Sequence, residues 1–141
     1  MEHLAILKRS WNLTEKIATG KKKIESRWYK QKRAPWNKIK PEETIYFKNS
    51  GEPVTMTASV EKVLQFSGLT PKKVRKIISD YKGLIAIQNP GESYEMNKDK
   101  KYCMLIYLKN PKKIQPFNIN KAGYGNMSAW ISVNNIGGIK R

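Results

Sequence analysis

Short apolar blocks alternate with polar stretches along the chain, and their spacing assigns elements one at a time. His3 to Lys8 predicts a strand. Leu13 and Ile17 share one face of a short helix. Asn12, followed by Glu15, fits a capping box at its start, and Gly20 fits a left-handed stop at its end. Lys23 to Lys30 then reads as a strand. Extended backbone turns Lys23, Glu25, Arg27 and Tyr29 to one face and Ile24, Ser26 and Trp28 to the other. Lys22 sits at the entry, with Ile24 and Ser26. Residues 31–41 are a basic loop punctuated by Pro35 and Pro41. Thr44–Lys48 and Val54–Phe66 read as strands, joined as a hairpin by the turn residues Asn49, Ser50 and Gly51.

Thr70 and Pro71 supply an N-cap and a first helical position. Val74, Ile77, Ile78 and Tyr81 follow at helical spacing, so this helix has one apolar stripe, with Lys72, Lys73, Arg75 and Lys76 around it. Residues 84–100 are polar and irregular, and a lid over a cleft is one use for them. Tyr102 to Lys109 is almost wholly apolar, as a central strand is. Ile114 to Ile119 predicts another strand, and Met127 to Val133 a helical turn or a last strand. The tally predicts an α+β fold: a small, mostly antiparallel β-barrel, closed or partly closed, of about six strands with two flanking helices. The length fits one domain over residues 1–141.

Charge adds a partner to this picture. The chain carries 28 Lys and Arg against 11 Asp and Glu, a net charge of +17. Solubility needs only about 2–8 in a small domain. Such a field attracts polyanions, nucleic acid foremost. Residues 21–40 hold nine cations and one acid, Glu25, and residues 100–141 hold eight cations and no acid. A surface stabilised by ion-pair networks needs many more acids. Cys103 lies in the apolar run and reads as a buried thiol. A single cysteine suits a reducing compartment, and no apolar run approaches the ~18 residues of a membrane span. A cytoplasmic protein without a membrane partner is the expectation.

The densest chemistry lies between Gly20 and Arg27. Lys22, Lys23, Arg27, Lys30, Lys32 and Arg33 are the phosphate-binding candidates, against the alternative of a solvated basic face. Trp28, Tyr29 and Trp36 are interleaved with them, as base-stacking residues are in single-strand binders. Trp28 is alternatively core, because it shares a face with Ile24. Trp36 sits in a polar loop. Trp11 and Trp130 read as core or rim. Lys121, Tyr124 and Ser128 lie in a Gly-rich, acid-free segment where Gly123 and Gly125 either admit a ligand to the backbone or punctuate a loop. Glu25 either orders the strand by pairing with Lys23 or Arg27, or reads a base amino group, or acts as a general base. His3 is the only histidine and has no evident partner, so no histidine triad or metal site is expected. There is no phosphate-binding P-loop, and no cofactor is expected. RNA or another single-stranded nucleic acid is the expected partner. An RNA-processing enzyme with Lys22 and Glu25 as its catalytic pair is the alternative.

A short helix ending in Gly-x-Lys-x-x-Glu-x-Arg, met here by Gly20, Lys22, Glu25 and Arg27, resembles the signature of the ASCH domain, a PUA-like family. The strand Ile45-Tyr46-Phe47, the turn Ser50-Gly51 and the strand Val54 to Val63 fit the same pattern. Residues 41–44, Pro-Glu-Glu-Thr, stand where the family usually has Gly-Asp. The tail Ala129 to Val133, with Trp130, fits by order of elements. The resemblance implies a barrel of five to six strands with a cleft beside the signature strand, and a link to RNA binding. One bacterial branch is an acetylcytidine amidohydrolase. Lys22 matches its lysine, but Glu25 stands where its threonine would be, which removes the proposed nucleophile. Other members are described as ribonucleases using Lys, Tyr and Ser, which this resemblance does not place on particular residues here.

Overall fold

The computed structural model describes residues 1–124 and 129–141. In chain order its elements are β1 (Glu2–Leu7), α1 (Leu13–Ala18), β2 (Ile24–Tyr29), β3 (Thr44–Asn49), β4 (Val54–Phe66), α2 (Pro71–Ile85), α3 (Pro90–Asn97), β5 (Tyr102–Phe117) and β6 (Trp130–Val133). The strands form one sheet in the order β2-β5-β4-β3-β1-β6. Only β1 and β3 run parallel, with Leu4 opposite Tyr46; the other neighbours are antiparallel. The sheet curls into a half-barrel that brings its two edges, β2 and the entry to β6, within side-chain reach. The α+β architecture is the expected one.

β5 explains itself by burial on both faces. Met104 and Ile106 join the core inside the curl, with Phe47, Met56 and Val60. Cys103 and Leu105 face the other way, into the layer under α2. The strand is therefore apolar at consecutive positions. Burial pushes the Cys103 thiol up, so it stays protonated. A third apolar group, including Leu4, Val54 and Ile131, closes the opposite end.

α2 forms as its sequence predicts. The Thr70 hydroxyl accepts the Lys73 amide at 3.3 Å, and Pro71 opens the helix. Val74, Ile77, Ile78 and Ile85 are buried against the sheet, each contributing about 1.5–3 kcal/mol. At its end, the carbonyls of Lys82 and Gly83 accept the amides of Ile87 and Ala86. The next two are taken by the segment entering β2: the Lys23 amide donates to the Leu84 carbonyl, and Lys22 Nζ to that of Ile85. All four terminal carbonyls are thus satisfied.

Three expectations change. The capping box at Asn12 does not form: a short 3-10 turn (Arg9–Trp11) leads into Asn12, which has φ 54° and makes no side-chain cap. Asparagine tolerates that conformation. Residues 84–100 are not irregular but hold the end of α2 and all of α3, whose N-cap Asn89 accepts the Glu92 amide at 3.0 Å. The strand expected at Ile114–Ile119 is instead, to Phe117, the far half of β5.

Candidate functional site

A cleft of about 500 Å³ opens between β2, the end of β1, the start of α1, and α3 with the loop before it. Gly20, at φ 80°, ends the helical segment in the left-handed region and turns the chain so that β2 runs along the cleft floor. Glu25, Ser26, Arg27, Trp28 and Tyr29 line it from β2. Trp11 and Leu13 line it on one side, and Asn89, Ser93 and Met96 on the other. Lys8, Lys16 and Lys100 supply cations at its walls.

The signature residues form one buried ionic chain. Lys22 Nζ donates to the carbonyls of Ile24 at 2.7 Å and Ile85 at 3.0 Å, and lies 3.3 Å from Glu25 Oε1. Its three N–H groups have three partners. Glu25 Oε2 accepts from Arg27 Nη2 at 3.0 Å. Lys22 and Glu25 are each only 3% exposed. Burial pushes the Lys22 ammonium below its ordinary range, against the opposing pull of Glu25. Burial also acts to raise Glu25, but Lys22 and Arg27 outweigh it and hold the carboxyl below its usual range. Arg27 continues the chain: its guanidinium stacks 5.0 Å from the Trp130 ring centroid, and Nη1 donates to the Ala129 carbonyl. Its Nε–H is buried without a hydrogen-bond partner among the described residues.

Known crystal structures share this arrangement of elements. A single-site variant of ZmASCH, the ASCH protein of Zymomonas mobilis, superposes with TM-score 0.70 at 18% identity, covering 95% of this chain and 91% of its own. The unsubstituted ZmASCH gives 0.68 at 16% identity, covering 95% and 88%. A second variant gives 0.68 at 18%, covering 95% and 89%. This chain has the ASCH fold. No family model and no curated protein matches it in sequence.

On this ASCH fold the candidate residues fall into three groups. Lys22, Glu25, Arg27 and Trp28 come together at the cleft, Trp28 also packing on the layer under α2. Lys23, Lys30, Lys32 and Arg33 are exposed outside it. The Lys32 ammonium lies 5.9 Å from the Tyr102 ring, and the Arg33 guanidinium 5.8 Å from that of Tyr29. Trp36 is also outside the cleft, edge-on to Tyr102 at 5.2 Å and packed on the inner core. Lys121 and Tyr124 lie away from the cleft lining. Ser128 is outside the described residues.

Sequence reasoning missed Lys8, Lys16, Lys100 and all of α3 as walls of the site. The Asn89-Pro90 pair followed by Glu92 was the available signal for α3. Trp11, read as core or rim, is 41% exposed at the cleft, with the Lys8 ammonium 4.9 Å from its ring. His3 does have partners: Nε2 lies 2.8 Å from Glu43 Oε1, and Nδ1 lies 2.8 Å from Ser132 Oγ and 3.3 Å from Trp130 Nε1. Among the described residues no group of His, Cys, Asp or Glu is arranged to hold a metal ion. No helix there is long and apolar enough to cross a membrane.

Proposed function

We propose that this protein binds single-stranded RNA through the cleft beside β2. The observation that carries the reading is the lining itself: Arg27, Lys8, Lys16 and Lys100 beside Trp11, Trp28 and Tyr29. Cations hold phosphates, and rings stack bases without demanding a sequence. The net charge of +17 supports it by drawing polyanions to the surface. The family resemblance points to the same ligand class.

Binding is favoured over RNA processing by the state of the two catalytic candidates. Lys22 has all three N–H groups engaged, and both Glu25 oxygens face cations. A carboxylate held below its ordinary range is a weak general base near neutral pH. Lys22 and Glu25 act here as positioning residues for Arg27.

Fluorescence anisotropy with labelled single-stranded RNA, duplex RNA and single-stranded DNA, at two salt concentrations, tests the reading. Native protein is expected to prefer the RNA single strand, with steep salt dependence. Trp11→Ala is expected to cost about 1–3 kcal/mol of binding while leaving stability nearly unchanged, because the ring is a stacking platform and not core. Equal, weak binding to all three probes, indifferent to Trp11→Ala, would overturn it.

A further inference from the structure

We infer that a second phosphate-binding surface adjoins the cleft where β2, β5 and α2 meet, and that it holds the backbone of an RNA strand leaving the cleft. The inference rests on the RNA-binding reading above. Two backbone hydrogen bonds build the junction. The Lys101 amide donates to the Tyr29 carbonyl at 3.0 Å, and the Leu69 amide donates to the Lys101 carbonyl at 3.1 Å. Thr70 and Pro71 then open α2 directly. The end of β2, the start of β5 and the first turn of α2 therefore share one patch of surface.

Each element brings exposed lysine to it: Lys30 directly after β2, Lys101 directly before β5, and Lys72 and Lys73 in α2. None of the four has an ion-pair partner among the described residues. Of the three acids in the flanking helices, Asp80 pairs with Lys76 and Glu95 with Lys98, and Glu92 lines the cleft. Asp99 is the one acid in the turn beside the patch. Four unpaired cations on one surface repel each other. Lys72 and Lys73 also sit at the positive end of the α2 dipole, in a first turn without an acid. The arrangement is unfavourable for the protein alone and becomes favourable when anions lie across it.

The patch is continuous with the cleft. Tyr29 and Lys100 line the cleft, and their chain neighbours are Lys30 and Lys101. A strand with one base in the cleft can lay its next phosphates on these lysines. Exposed lysines carry phosphate contact without base reading, which suits a backbone track.

The test compares RNA single strands of about four and about twelve nucleotides, lengths that bracket the reach of small single-strand sites. The variant Lys72→Gln/Lys73→Gln/Lys101→Gln is expected to bind the longer RNA at least ~10-fold more weakly. Its plot of log affinity against log salt is expected to be shallower by about 2, from three lost contacts. Its affinity for the short RNA is expected to stay native. A control with equal charge loss at the far end of β5 and beyond it, Lys112→Gln/Lys113→Gln/Lys140→Gln, is expected to change neither. Unchanged affinity and slope for the longer RNA would overturn the inference, as would an equal loss in the control. Arg27→Ala reports separately on the cleft. If it leaves both RNAs unaffected while the triple variant weakens the longer one, the cleft reading fails and the lysine surface stands. Native protein that binds neither RNA overturns both.

Discussion

Arg27 on β2 donates to the Ala129 carbonyl at 3.3 Å, across the gap between the two edges of the sheet. The same oxygen accepts the Ile6 amide at 2.9 Å. One carbonyl thus ties β1, the entry to β6 and β2 together, and the half-barrel is closed by a side chain where a full barrel would use a backbone ladder. Arg27→Ala removes that closure and one of the two cations on buried Glu25. It is expected to lower stability by about 2–4 kcal/mol, seen as a lower urea midpoint with an unchanged slope. Arg27→Lys, which keeps charge but not the fork, is expected to fall between.

Glu25→Gln leaves the buried Lys22 ammonium without its counter-charge. The expected cost near neutral pH is about 3–5 kcal/mol. The folded Glu25 carboxyl is held below its ordinary value of 4.5. Its stabilisation is therefore complete above that value and is lost as pH falls through the folded one. The stability gap between native protein and variant is expected to close in that acid range. Urea titrations from pH 7 downward measure it, and a gap constant with pH would rule out the ionised carboxylate as its source.

His3 is the single histidine, so its titration can be read without assignment. The Trp130 indole can only donate, so Nδ1 accepts and Nε2 carries the proton toward Glu43. Burial pushes the pKa below 6.5, and Glu43 opposes this in part. The unfolded chain then takes up a proton more readily than the folded one, and stability falls as pH drops below about 6.5. Nitrogen-15 NMR is expected to show the Nε2–H tautomer, with a midpoint below 6.5 in the folded protein.

Lys72 and Lys73 face the positive end of α2, so replacing them with acids relieves a standing cost. Lys72→Glu/Lys73→Glu is expected to raise stability by about 1 kcal/mol while weakening binding of the longer RNA. Thermal unfolding and anisotropy on the same sample check both signs. A stabilised variant that keeps its RNA affinity would mean these lysines serve neither fold nor ligand.

Much of this was legible where local chemistry and tertiary packing agree. Thr70-Pro71 and the Val74-Ile77-Ile78 stripe specify α2 by themselves, and Gly20 marks the turn into β2. The run Tyr102 to Leu108 announces an interior strand. β5 was harder to follow beyond Lys109 because Pro111 and Pro116 argue against a strand. There it pairs only with β4, since β2 reaches no further than Tyr107, and a free edge tolerates proline. α3 was missed because none of its residues is buried, so no apolar period marks it. The buried state of Lys22 was also hidden. One of its two partner carbonyls belongs to Ile85, far along the chain, and nothing local to Gly20–Arg27 reveals that contact.

That contact sets the terms on which the cleft wall could be moved elsewhere. α3 begins after a four-residue link from the end of α2, and the end of α2 is pinned by a lysine from the cleft floor. A graft of α2 and α3 onto another barrel of this shape would carry its own caps and apolar stripe but not its anchor. The recipient would need an ammonium at the position of Lys22 and a carboxylate beneath it before the two walls faced each other at the same width. Spacing between the walls is inherited from the signature segment, which makes that segment the gauge of the cleft as well as its floor.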